Sequence, residues 1–144
     1  VVKKRNNRQD AIRGIVREKA IRTQRALVEE LAASGFACTQ ATVSRDIADM
    51  GLRKLPEGIY VLAEDQHLQR MVSDLVSGVA RANNLVLVKA QPGTAPGIAA
   101  AIDAAELPEV VGSLAGNDTI LVVASTDEAG ESFESLINKL RNRR

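Results

Sequence analysis

The sequence predicts an α/β (α+β) chain of two domains: an N-terminal winged helix-turn-helix and a C-terminal unit ordered α-β-α-β-β-α. Three observations predict it. A short helical segment with clear start and stop signals, Thr39 to Gly51, lies a few residues after another helix and just before a hairpin pattern. Beyond Leu62 the pattern changes to amphipathic helices interleaved with apolar runs. The charge divides at the same place, with 12 Lys/Arg against 7 Asp/Glu up to Leu62 and 7 against 11 from Ala63 onward. A chain of 144 residues is long enough for two small domains. The expected boundaries are residues 1–63 for the winged unit, 64–67 for a linker and 68–144 for the second unit.

In the first unit, Ile12, Ile15 and Val16 fall at helical spacing. Thr23 can cap a second helix carrying Leu27, Val28 and Leu31, which stops at Ser34-Gly35. Thr39 caps a third, with Gly51 as its left-handed closing residue. At a hundred degrees per residue Val43, Ile47 and Met50 form an apolar stripe, while Ala41, Arg45 and Ala48 point the other way with Thr42 and Ser44 beside them. Leu52-Arg53-Lys54-Leu55 and Ile59-Tyr60-Val61-Leu62 flank a Pro56-Glu57-Gly58 turn and form the wing.

An exposed helix face of small side chains lets the backbone approach base edges, and one arginine can bond guanine O6 and N7 bidentately. Gln40, Thr42, Ser44 and Arg45 are therefore candidate duplex contacts on the third helix, with Arg53 and Lys54 on the wing. Arg22, with Lys3, Lys4, Arg5 and Arg8, lies near helical N-termini and is a candidate for phosphate contact, which supplies affinity but no sequence information. Each of these cations taken singly also reads as an ordinary surface charge. A basic first half favours a polyanion, and an acidic second half favours a cationic ligand, another subunit, or neither.

In the second unit, residues 63–66 read as a connector, with His67 beginning a helix. Leu68, Met71, Val72, Leu75 and Val79 predict an amphipathic helix ending near Asn83-Asn84. Leu85-Val86-Leu87-Val88 follows as a strand, and Gln91-Pro92-Gly93-Thr94 as a turn into an alanine-rich helix through Asp103 and Ala105. Two more strands, at residues 110–114 and 120–123, precede a final helix with Phe133, Leu136, Ile137 and Leu140. The strands are continuous apolar runs, so both faces of the sheet are expected to be covered. So small a unit, poor in aromatics, lacks chain to cover both faces, which predicts self-association. The alanine runs at 99–101 and 104–105 fit close helix packing or simple helix propensity equally well.

One cysteine, Cys38, excludes a disulfide framework, and with the solitary His67 it leaves little for a metal site. Cys38 reads as a small buried residue before the cap. No nucleophile elbow, phosphate-binding loop or metal cluster is legible, so no catalytic residue, metal or cofactor is expected, and the chain is not read as an enzyme. With no bilayer-length apolar run and no signal-peptide core, it is expected to be cytoplasmic.

The segment at residues 39–47, with its Ser44-Arg45 pair, resembles the recognition segment of the bacterial arginine repressor family. Pro92-Gly93-Thr94-Ala95, Asp103, and Gly112-Ser113-Leu114-Ala115-Gly116-Asn117-Asp118-Thr119 resemble that family's effector-domain motifs. The resemblance runs over nearly the whole chain in the right order. It implies a winged-helix DNA-binding domain joined to an oligomerising domain that forms trimers, two of which stack into a hexamer. L-arginine binds between the trimers, and the loaded hexamer grips paired operator half-sites at genes of arginine biosynthesis and catabolism. By position, Ser44 and Arg45 become DNA contacts, and Asp103, Ser113, Ala115, Asn117 and Asp118 line the arginine pocket. A guanidinium with five fixed donors and an α-amino group both seek acids, which Asp103 and Asp118 could supply. From the residues alone, Asp118 also reads as a turn residue and Asp103 as a solvated helix position.

The departures from the family pattern sit in the pocket. Asn117 stands where the family commonly has an aspartate, and exchanging a charge-assisted bond for a neutral one weakens binding by about 1–2 kcal/mol, on the order of ten-fold. Pro96 stands where many members carry a polar side chain, and Ser113 replaces the usual threonine. Three readings therefore stand: an arginine-responsive regulator; a regulator of the same build that responds weakly or not at all to arginine because of Asn117 and Pro96; and a small-molecule-binding assembly protein or minor enzyme whose basic half is incidental.

Overall fold

A computed structural model describes residues 7–142, so Lys3, Lys4 and Arg5 lie outside the described residues. The chain divides into two compact units, one reaching to Ala63 and the other starting at Glu64.

The first unit contains α1 (Asn7–Glu18), α2 (Gln24–Ala33), α3 (Gln40–Met50) and a hairpin of β1 (Leu52–Lys54) and β2 (Tyr60–Leu62). Both expected N-caps form: the Thr23 hydroxyl accepts from the Ala26 N–H and the Thr39 hydroxyl from the Thr42 N–H. Gly51 closes α3 at φ +67°, the left-handed conformation that only glycine adopts without cost. The hairpin is antiparallel with Leu52 opposite Leu62, and the Tyr60 N–H donates to the Ile21 carbonyl, hanging the wing from the α1–α2 connection. Ile12, Val16, Ile21, Leu27, Leu31, Val43, Leu52 and Leu62 form one buried cluster under the three helices and the wing. Cys38 is half-buried at its edge, packed there as a small apolar side chain.

The second unit contains α4 (Ala63–Leu75), β3 (Val76–Ala82), β4 (Leu85–Ala90), α5 (Ala95–Ala104), β5 (Val110–Ala115), β6 (Thr119–Ala124) and α6 (Asp127–Arg141). Its order is therefore α-β-β-α-β-β-α, which corrects the expected α-β-α-β-β-α. The helix that begins this unit ends at Leu75, and the residues up to Ala82 form a strand. Val79 continues the helical spacing of Leu68, Val72 and Leu75, but Val76 and Val79 favour extended chain, Gly78 is a poor helix former, and Asn83 (φ +55°) with Asn84 makes a two-residue hairpin to β4. The expected linker at 64–67 is helical too, and His67 lies inside α4 instead of beginning a helix. Glu64 and Asp65 occupy its first turn, where acids suit the helix dipole.

The four strands are antiparallel in the order β3-β4-β6-β5. One face carries Val86, Val88, Ile120 and Val122, all fully buried with Leu68 and Val72 of α4, Ile98 and Ile102 of α5, and Phe133 and Ile137 of α6. The expectation that both faces are covered fails within one chain. Alternate residues on the other face, Leu85 and Leu87 at about 40% exposure and Leu114 at 72%, stand open to solvent. The alanines of α5 divide similarly: Ala95, Ala99, Ala101 and Ala105 are buried, while Ala100 and Ala104 are exposed.

Candidate functional site

The helix α3 presents Ala41, Ser44, Arg45 and Ala48 on its exposed side, with Gln40 exposed in its first turn. Thr42 is half-buried, and its hydroxyl lies 3.0 Å from that of Thr39, so it belongs partly to the cap. Arg53 and Lys54 are exposed on β1, and the Lys54 ammonium sits 5.4 Å above the Tyr60 ring, a cation–π contact that stiffens the wing. Arg22 is exposed, but one guanidinium nitrogen donates to the Glu57 carbonyl at 2.8 Å, tying the wing turn to the helical body.

Sequence reasoning missed Asp46. Its side chain is 4% exposed, on the helix that carries Arg45, and the Arg8 fork grips it through Nε to Oδ2 at 2.5 Å and Nη2 to Oδ1 at 3.0 Å. Gln9 Nε2 donates to Oδ1 at 3.2 Å. The Arg8 hydrogen bonds hold the Asp46 carboxyl below the usual carboxylate range against the opposing effect of burial, and the same bonds raise Arg8. Arg8, a candidate phosphate contact by sequence, is thus engaged inside the unit. The available signal was position: Asp46 stands between Val43 and Ile47, on the buried side of an otherwise legible amphipathic helix.

In the second unit, the expected pocket residues fall into two groups. Asp103, near the C-terminal end of α5, accepts at Oδ1 from the Ser113 hydroxyl of β5 at 3.1 Å. Ala115 follows two residues along that strand, half-buried on the same side. The second group is the loop between β5 and β6. The Asn117 carbonyl accepts from the N–H groups of Gly93 and Ala95, and the Asp118 carbonyl accepts from Ala90, so this loop is knit to the turn that starts α5. The Asn117 backbone does this work, and its side chain is exposed. Asp118, also exposed, accepts at Oδ1 from the Thr119 hydroxyl at 3.0 Å, which in turn accepts from the Lys89 ammonium at 3.0 Å. Pro96 is exposed in the first turn of α5, where its missing N–H costs no helical bond. Among the described residues no cluster of His, Cys, Asp and Glu is placed to hold a metal ion, and no helix is long and apolar enough to cross a membrane.

A capped helix with small outward side chains and a wing beside it defines a duplex-reading module, here followed by an α+β unit with Asp103 and Asp118 exposed and an open apolar sheet. Comparison with known proteins agrees with both halves. The family model described as arginine repressor, DNA binding domain, matches residues 3–68, and that described as arginine repressor, C-terminal domain, matches residues 72–139. A protein of Thermus thermophilus named arginine repressor is 47% identical over 138 residues, covering 88% of this chain and 84% of the relative. Proteins of the same name from Carboxydothermus hydrogenoformans and Solibacter usitatus are each 42% identical, covering 84% and 88% of this chain and 88% and 90% of the relatives. The chain belongs to the arginine repressor family of DNA-binding regulators.

Proposed function

We propose that the chain regulates genes of arginine biosynthesis and catabolism by binding operator DNA through α3 and the wing, with L-arginine as corepressor and no other cofactor. It acts in the cytoplasm as a regulator and not as a catalyst. The observation that carries the arginine reading is the pair of exposed aspartates, Asp103 and Asp118, each fixed through one oxygen by a hydroxyl. A guanidinium and an α-ammonium group answer two such acids.

The open sheet face supports assembly into the trimers, and the hexamer of two trimers, that the family resemblance implies. Leu85, Leu87 and Leu114, with half-buried Leu121 and Val123, form one apolar surface across β4, β6 and β5. Such a surface marks an interface in a soluble protein. Acids brought together by assembly repel one another when empty, so a cationic ligand binds the assembled state more tightly and favours it. Several DNA-binding units on one assembly then engage paired half-sites at high effective concentration.

The test is a duplex titration at fixed salt with and without millimolar L-arginine, using a duplex selected from a random pool by the chain itself. Arginine is expected to tighten binding at least ten-fold. Tight duplex binding indifferent to arginine would instead favour a regulator of the same build whose pocket is weakened by Asn117 and Pro96.

A further inference from the structure

Asp46 is the one buried charged residue among the described residues, and it lies next to the arginine that faces outward from α3. The buried apolar cluster already fastens α3 through Val43. Apolar contacts set the rotation of a helix through packing alone, less sharply than directed bonds do, and an apolar pair of similar volume would stabilise as well as the Arg8–Asp46 pair. What the fork adds is direction: two bonds from a planar guanidinium and a third from Gln9 fix the plane of the carboxylate.

We infer that Arg8 and Gln9 of α1 form a clamp setting the rotation of α3 about its own axis, so that Asp46 is a positioning residue for duplex reading. Residues 45 and 46 are about a hundred degrees apart on the helix, so any roll that loosens Asp46 also carries Arg45. At a helix radius of about 5–6 Å, a roll of about 20° moves the surface by about 2 Å, enough to break a bidentate bond to a base edge. The clamp rests on the reading that α3 enters the duplex.

The experiment compares the full chain with Arg8→Met, Asp46→Asn and the double variant, using the selected duplex and a scrambled one across a salt series. If the two residues acted only through charge, removing a cation would weaken binding and removing an anion would strengthen it. The clamp predicts instead that both single variants lose about ten-fold or more in the ratio of selected to scrambled affinity. The double variant is expected to lose no more than the worse single variant, because the two residues act as one unit. The salt dependence of Arg8→Met on scrambled duplex is expected to equal the parent's, whereas a slope lower by about one would mark Arg8 as a phosphate contact and overturn the clamp. An unchanged ratio would overturn it as well. Should the variants fail to fold, exchange of the Arg8 Nε–H in the unmodified chain decides: it is expected to stay protected when duplex is added, and loss of protection refutes the clamp. If the unmodified chain ignores both duplexes, the wider DNA-binding reading falls too. Retained discrimination in the variants removes only the clamp.

Discussion

Gly130, in the first turns of α6, permits a close approach that no other residue would allow. A Cβ there would lie 2.6 Å from the Asn83 carbonyl oxygen and 3.2 Å from the Asn84 Cα, so α6 rests directly on the β3–β4 turn. Both neighbours are backbone, in a two-residue hairpin with little freedom to yield. Two opposing effects decide the sign of Gly130→Ala. Alanine is favoured over glycine inside a helix by about 1 kcal/mol. Forcing a methyl group against fixed backbone costs about 2–3 kcal/mol, at the upper end of overpacking penalties. The net expectation is a loss of about 1–2 kcal/mol in the second unit, or about 5–10 °C in its melting temperature for a unit of this size. Gly14→Ala in α1 is the control, since a Cβ there meets nothing within 4 Å. It is expected to gain about 0.5–1 kcal/mol in the first unit. Urea and thermal unfolding at one fixed protein concentration measure both, the concentration being held because the proposed assembly would shift apparent stability. A Gly130→Ala variant as stable as the parent would refute the packing argument.

Further outcomes follow from the two candidate sites. Arg45→Ala is expected to lose preference for the selected duplex while keeping salt-sensitive binding to any duplex, measured by competition titration; undiminished preference removes Arg45 from base recognition. Asp118→Asn is expected to abolish the arginine response with the fold intact, and calorimetric arginine binding at parental affinity would count against the pocket. The Asp46 carboxyl is held below its unfolded value, so its contribution to stability is complete above about pH 4 and disappears as pH falls through the folded-state value. Acid unfolding of Asp46→Asn, followed by circular dichroism, should therefore be shallower below about pH 4 than that of the parent. An identical acid limb would show that the Arg8 pair adds nothing to pH-dependent stability.

The first unit was legible because its signals are local. Thr23, Thr39 and Gly51 announce helix ends by their own chemistry, and the Pro56-Glu57-Gly58 turn does the same for the wing. The second unit hid one strand because Val79 continues a helical spacing by coincidence, and because Asn83-Asn84 serves a helix end and a hairpin equally well. Its open face was also obscured. A continuous apolar run reads as a strand buried on both sides, yet Leu85 and Leu87 show that the same run can leave one side open. Asp103 and Ser113 were picked out by motif, and their hydrogen bond follows from α5 lying over β5, which no short spacing encodes. Asp46 stayed hidden because a charge on the buried side of a helix makes sense only once its partner, 38 residues earlier, is beside it.

The account joins duplex binding, arginine and assembly, and sedimentation of the chain with a fluorescently marked selected duplex measures all three together. With L-arginine, a complex of several chains per duplex is expected at concentrations where little forms without it. A single chain sedimenting unchanged with or without arginine, and leaving the duplex free at modest ionic strength, would contradict the account at its root.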